Sequence, residues 1–63
     1  MSYQVGQLIV WPGERPEHFW FGVIMEVGKP GTVLSRSVLV NWITANRQHW
    51  YSMQRLHDME NEP

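Results

Sequence analysis

Five aromatic and basic side chains have the types needed to form a binding surface. They are Trp11, Trp20, Arg47, Trp50 and Tyr51. Indole and phenol rings present flat apolar faces that stack on nucleobases, cations or a partner's side chains. A guanidinium beside such rings can hold a phosphate or a carboxylate. The same rings are efficient core residues in a chain of only 63 residues, so core packing is the alternative role for each ring.

Strand alternation separates these two roles for three of the aromatic residues. Trp42 alternates with Val38 and Val40, which assigns it to the core. Trp50 and Tyr51 are adjacent in a predicted strand, so their side chains point to opposite faces. One of the two is therefore expected in the core and the other on the surface.

Trp11 and Trp20 stand on either side of a polar loop. Trp11 falls with Ile9 on the strand face opposite Leu8 and Val10, and Trp20 lies at the mouth of the loop. Both are therefore candidate exposed aromatic residues, with core packing as the equal alternative.

Few basic residues are present to contact a phosphate backbone. The chain has five Lys and Arg against six Asp and Glu, and its net charge is −1. Proteins that bind nucleic acid usually show a basic patch or stripe. Arg47 is predicted to lie in a hairpin turn near Trp50. A nucleic-acid-binding barrel that uses Arg36, Arg47 and Arg55 with an exposed Trp is the second functional hypothesis, and ordinary solvated charges are its alternative.

No residue pattern predicts catalysis, a metal site or a cofactor. The three histidines, His18, His49 and His57, are more than seven residues apart and the chain has no Cys, unlike the tight spacings of short metal motifs. Ser52 precedes a helical turn, where serine usually serves as an N-cap rather than as a nucleophile. We therefore predict that the protein is not an enzyme and has no cofactor.

Length and hydropathy predict one small domain that spans residues 1–63, with loose ends at 1–4 and 60–63. No apolar run approaches the roughly 18 residues of a membrane span, and the first residues lack the features of a signal peptide. The expected location is the cytoplasm, or for a viral protein the host cytoplasm or the virion.

The first half of the chain is predicted to hold two strands joined by a loop. The first strand runs from Val5 to Trp11, the loop from Pro12 to His18, and the second strand from Phe19 to Val27. Gly22 lies inside the second strand, where glycine often marks a bulge or a sharp bend. A bulge there would turn Ile24 into the core, and without it the opposite residues of the strand would face inward.

The second half is predicted to be a β-hairpin closed by a helical turn. Its strands are Val38 to Trp42 and Gln48 to Tyr51. Ala45-Asn46 supplies the turn, because asparagine tolerates a left-handed backbone. A short helical turn begins at Ser52 and ends at Leu56. Leu56 is assigned to the core with Val38 and Val40.

Four segments of the chain resemble an SH3-like small β-barrel. They are Val5-Gly6-Gln7-Leu8, Gly22-Val23-Ile24, Val38-Leu39-Val40-Asn41-Trp42 and Trp50-Tyr51-Ser52-Met53-Gln54-Arg55-Leu56. The chain looks most like the short barrel proteins of tailed bacteriophages, including those of cyanobacteria. The resemblance implies an all-β barrel of about five short antiparallel strands, with a 3-10 or helical turn near Ser52.

Three functional hypotheses follow, of which the first is favoured. It is a non-enzymatic protein-interaction or structural module of phage-like origin that associates with itself or with another protein. The second is the nucleic-acid-binding barrel described above. The third is a tetrameric enzyme similar to the plasmid-borne type II dihydrofolate reductases, which work through a Val-Gln-Ile-Tyr strand. The nearest stretch of this chain is Gln48-His49-Trp50-Tyr51, where only Tyr51 matches well. The reductase activity is therefore not carried over.

Overall fold

The computed structural model describes residues 2–12 and 19–61, which form one antiparallel sheet and one helix. The strands are β1 (Leu8–Trp11), β2 (Trp20–Val27), β3 (Ser37–Trp42) and β4 (Arg47–Ser52), and the helix is α1 (Met53–Glu60). The strands lie in the sheet in chain order, so each pairs with its sequence neighbour. Short connections between sequence neighbours give this meander directly.

The strand register assigns every strand side chain to one of two faces, because directly paired residues lie on the same side of a sheet. The inner face carries Ile9, Trp11, Trp20, Gly22, Ile24, Val27, Val38, Val40, Trp42, Arg47, His49 and Tyr51. The outer face carries Leu8, Val10, Phe21, Val23, Glu26, Ser37, Leu39, Asn41, Gln48, Trp50 and Ser52. The core lies on the inner face, where Ile9, Ile24 and Val40 are fully buried.

Helix α1 covers one end of the inner face. The Ser52 hydroxyl accepts a hydrogen bond of 3.0 Å from the backbone N–H of Arg55, which satisfies one of the free donors at the start of the helix. Leu56 and Met59 are the buried residues of the helix, and they pack with the inner-face residues in one core. The predicted cap and the core position of Leu56 are confirmed.

The N-terminal segment closes the same end of the core. Tyr3 is 9% exposed, and its hydroxyl donates a hydrogen bond of 2.8 Å to Oε2 of Glu60. Burial, followed by this hydrogen bond and the negative charge of Glu60, raises the pKa of Tyr3 from 10.0 to about 12. This hydrogen bond therefore joins the N-terminal segment to the last residue of helix α1.

A bulge occurs in β2, but not at the predicted glycine. The register with β3 shifts between Ile24 and Glu26, so Val27 returns to the inner face opposite Val38. Gly22 instead lies in regular pairing opposite Trp42. A Cβ atom at Gly22 would lie 2.8 Å from Cε3 of Trp42, so the glycine allows the indole to pack directly on the strand.

Several predicted elements need correction. The described residues form four strands in an open sheet, with β1 and β4 as its edges, and not five strands. The first strand begins at Leu8 rather than Val5, because residues 5 and 6 form a turn with Gly6 at φ 89°. The segment after Ser52 is an α-helix of eight residues, longer than a single turn.

The predicted hairpin is confirmed. Its strands are present with one or two more residues than predicted, and Asn46 has a left-handed φ of 51°. Of the predicted loop from Pro12 to His18, residues 13–18 lie outside the described ranges.

Candidate functional site

The end of the inner face beyond the helix is formed by three indole rings. The ring centroids of Trp11 and Trp20 are 5.7 Å apart, those of Trp11 and Trp42 are 6.1 Å apart, and those of Trp20 and Trp42 are 6.0 Å apart. Trp42 is 3% exposed, whereas Trp11 and Trp20 are half-buried. Trp42 therefore forms the floor of this cluster, and the other two indoles form its upper wall.

The strand register brings these rings together from three strands. Trp11 pairs directly with Trp20 at the end of the β1–β2 ladder, and Trp42 pairs with Gly22 on one side and Arg47 on the other. Because cross-strand partners lie about 5 Å apart, all four large side chains collect at one end of the sheet.

Two side chains of β4 extend the cluster. The indole N–H of Trp42 donates a hydrogen bond of 2.8 Å to the Tyr51 hydroxyl. This bond satisfies a buried donor and occupies one lone pair of the phenol oxygen, which keeps its own O–H for donation. The His49 and Tyr51 ring centroids are 4.9 Å apart. The polar edge of the cluster therefore runs along β4.

These residues line an open cavity of about 200 Å³, which we call the indole cleft. It is lined by Trp11, Trp20, Trp42, Arg47, Gln48, His49 and Tyr51. Arg47 is exposed, and its guanidinium makes no hydrogen bond or ion pair with any residue in the described ranges. The described lining contains no carboxylate, and Arg47 gives it a fixed positive charge.

Four of the five predicted site residues meet at the indole cleft. Trp11, Trp20, Arg47 and Tyr51 line it. Trp50 lies on the outer face and lines a separate cavity of about 260 Å³ with loop residues that include Val33 and Leu34.

Three details of the site differ from the sequence prediction. Arg47 is the first residue of β4 and lies across the sheet from Trp50, because an odd number of positions separates them. Trp11 and Trp20 are half-buried against the core rather than freely exposed. His49 lines the cleft and is not among the predicted binding residues, although its alternation with Arg47 and Tyr51 in the strand indicates the same face.

The outer face forms a second candidate site. Its apolar members Leu8, Val10, Phe21, Val23, Leu39 and Trp50 form what we call the outer patch. Leu8 is 58% exposed and Phe21 is 41% exposed. Helix α1 packs with the inner-face core, so no helix or strand of the described chain covers this patch.

Arg47 lies apart from the other arginine that flanks β3. Arg36 precedes the first residue of β3, while Arg47 pairs with the last residue of that strand. A strand of six residues separates the two guanidinium-bearing positions by about 20 Å. Arg55 lies in the helix. The predicted nucleic-acid surface of Arg36, Arg47 and Arg55 therefore does not form a continuous basic track.

Residues 2–12 and 19–61 contain no cluster of three or more His, Cys, Asp or Glu side chains that could hold a metal ion. Within the same ranges, no helix has the length and apolar character needed to cross a membrane. Neither a protein-family model nor a curated protein nor a solved structure matches the chain.

Proposed function

We propose that the protein is a non-enzymatic interaction module that associates with a second copy of itself through the outer patch. The observation that carries this proposal is the apolar character of both faces of β1 and β2. A sheet with one solvated face alternates between apolar and polar residues. In β2, the inner residue Ile24 and the outer residues Phe21 and Val23 are all apolar.

The architecture leaves the outer face without a second layer. Domains gain stability when each apolar face packs against another element, and helix α1 supplies that layer only to the inner face. Two copies that stack their outer faces would form a two-sheet sandwich with a second shared core.

The size of the outer patch predicts a reversible dimer. Four strands of about six residues give a flat footprint of roughly 400 Å². This equals the largest apolar patch of a typical monomer, about 300–600 Å², and is about half of the roughly 800 Å² that each partner buries in a standard interface. The dissociation constant of the dimer is therefore expected to be roughly micromolar to millimolar, as for other weak complexes.

A second copy suits this patch because its members are apolar, with Glu26 beside Leu39 on the same face, and because the whole chain has a net charge of only −1. Two such molecules repel each other only weakly. A two-fold arrangement also places the same apolar residues opposite one another, which buries the patch of both copies at once.

Sedimentation analysis from about 10 µM to about 1 mM tests the proposal. We expect the weight-average mass of the wild type to rise towards that of a dimer. Phe21→Lys and Leu8→Lys introduce a charge into the outer patch and should each keep the protein monomeric. Val5→Lys is the matched control, because Val5 is 66% exposed and lies outside the strands. Circular dichroism verifies that each variant is folded.

A wild-type protein that stays monomeric at the highest concentration would overturn the self-association proposal. Equal loss of the dimer in Val5→Lys and Phe21→Lys would move the interface away from the outer patch.

We also propose that the sheet belongs to an SH3-like small barrel, as the sequence resemblance implies. The bulge between Ile24 and Glu26 supports this proposal, because a bulge bends a strand and increases its twist. The phage-like origin stays a prediction from the resemblance. Hydrogen exchange of the amides on the unpaired edge of β4 tests the closure of the barrel. Slow exchange of these amides would support a closed barrel, and fast exchange would favour an open sheet.

A further inference from the structure

We propose that the indole cleft binds a single nucleotide, with the base on the indole rings and the phosphate on Arg47. This inference concerns the opposite face from the outer patch and does not depend on self-association. It also differs from binding along a nucleic-acid strand, because it requires one ring site and one anion site only.

The ring site follows from the size and lining of the cleft. Its volume of about 200 Å³ is below the roughly 300 Å³ at which pockets for drug-sized ligands begin, so the cleft accepts one flat ring rather than a whole molecule. Trp11 and Trp20 are half-buried, so both side chains are partly exposed to solvent. Stacking of a base on such a ring contributes about 1–3 kcal/mol in single-strand binding proteins.

The anion site follows from the charge at the rim. Arg47 is exposed and has no ion-pair partner among the described residues, so its planar fork is available for a phosphate. The Tyr51 hydroxyl accepts the hydrogen bond of Trp42 and can donate its own proton to a ligand acceptor. His49 adds a ring nitrogen at the same edge. Hydrogen-bond donors therefore predominate along the β4 edge of the cleft, where the phosphate of a bound ligand would lie.

The same charge argues against a methylated ammonium group, the other common ligand of clustered aromatic rings. Such a cation is attracted by the ring faces, but it would lie beside the Arg47 guanidinium. The described lining has no carboxylate to offset that repulsion. Anionic ligands gain from the same arrangement.

The spacing of the arginines limits the ligand to one nucleotide unit. Each phosphate contact along a strand needs its own cation. Arg36, which flanks the other end of β3, lies about 20 Å from Arg47 along the strand. A longer strand would therefore find no further fixed cation next to the cleft among the described residues.

Titration of the ¹⁵N-labelled protein with adenosine monophosphate tests the proposal through the four indole N–H resonances. We expect the resonances of Trp11 and Trp20 to shift in a saturable manner. The resonance of Trp50 is an internal control, because Trp50 lies on the outer face and should not respond. Self-association would instead move the Trp50 resonance, so failure of either proposal can be recognised in the same spectra.

The role of Arg47 is tested with two charge-matched variants. Arg47→Gln should weaken adenosine monophosphate binding by about tenfold or more, as expected for loss of a charge-assisted hydrogen bond. Arg36→Gln removes the same charge far from the cleft and should leave the affinity within about twofold. Both arginines are exposed, so both variants should fold. A variant spectrum as well dispersed as that of the wild type verifies this.

Four further outcomes would overturn the proposal. These are a spectrum that adenosine monophosphate leaves unchanged at low salt, equal weakening by both arginine variants, equal affinity for adenosine without the phosphate, and tighter binding of tetramethylammonium than of the nucleotide. An oligonucleotide that binds more than about tenfold more tightly than the mononucleotide would replace the single-unit site with a strand-binding surface.

Discussion

The two faces of the sheet have similar apolar residues and very different surroundings. On the inner face, Ile9 is fully buried, whereas its neighbours Leu8 and Val10 on the outer face are 58% and 37% exposed. These three residues are consecutive in one strand. The comparison teaches that hydrophobicity alone does not select the core face of this sheet, because the helix selects it by packing there.

The inner face itself is divided into a covered and an open half. Leu56 and Met59 of helix α1 and Tyr3 of the N-terminal segment belong to the core cluster. The other half ends in the indole cleft, which the helix leaves accessible. The outer patch and the indole cleft are therefore two uncovered surfaces of different chemistry. The outer patch consists of aliphatic and aromatic side chains, whereas the cleft is aromatic with Arg47 at its rim.

Alanine substitutions of Leu56 and of Leu8 test the contrast between the two faces, and they have the largest expected effect. Leu56→Ala should lower the free energy of unfolding by about 2–5 kcal/mol, because Leu56 is fully buried and its loss leaves a cavity. Leu8→Ala should cost about 0.5 kcal/mol or less in the monomer, because Leu8 is largely exposed. Urea titration at low protein concentration measures both values. Equal costs would show that the outer face is buried in the monomer.

The closure of the covered half by Tyr3 predicts a pH dependence of intermediate size. The raised pKa of Tyr3, about 12, means that the folded protein holds the phenol proton more tightly than the unfolded chain does. The stabilisation is complete below pH 10 and is lost as the pH rises towards 12.

Thermal unfolding of the wild type and of Tyr3→Phe from pH 8 to pH 12 isolates this contribution. The variant has no phenol to ionise, so its stability should fall less steeply above pH 10. Parallel curves for the two proteins would remove Tyr3 as the cause.

Gly22 tests the close packing beneath the cleft with the smallest expected effect. Gly22→Ala should destabilise the protein by about 1–3 kcal/mol through overpacking, because the new Cβ would lie 2.6 Å from Cγ1 of Val40 and 2.8 Å from Cε3 of Trp42. Val40→Ala removes one of these atoms, so the double variant should lose less than the sum of the single losses, by about 0.5 kcal/mol or more. Additive losses would mean that the two residues do not clash.

Local sequence patterns were sufficient for much of the second half of the chain. Alternation in Val38 to Trp42, the turn at Asn46 and the cap at Ser52 each depend on neighbouring residues, and each is present in the structure. The first half was predicted less well. Val5 to Leu8 resembled a strand, but Gly6 has a positive φ and β1 starts later.

The candidate site was predicted in its members more than in its arrangement. Aromatic and basic types alone singled out Trp11, Trp20, Arg47 and Tyr51, which meet at the cleft. Trp50 was grouped with them because sequence proximity and aromatic character do not reveal the face of a strand on which a neighbouring arginine lies. The continuous alternation from Arg47 through Tyr51 in β4 separates them.

The sequence by itself determined where the strands of the hairpin lie, where the chain turns and where the helix starts, because these features depend on local backbone preferences and capping. It also determined that residues alternate between two faces. Only the tertiary structure decided which face of β1 and β2 became the core, since both faces are apolar and the choice depends on where Leu56 and Met59 pack. The indole cleft exists for the same reason: the register of three strands gathers its rings from residues 11, 20 and 42, which no local pattern connects.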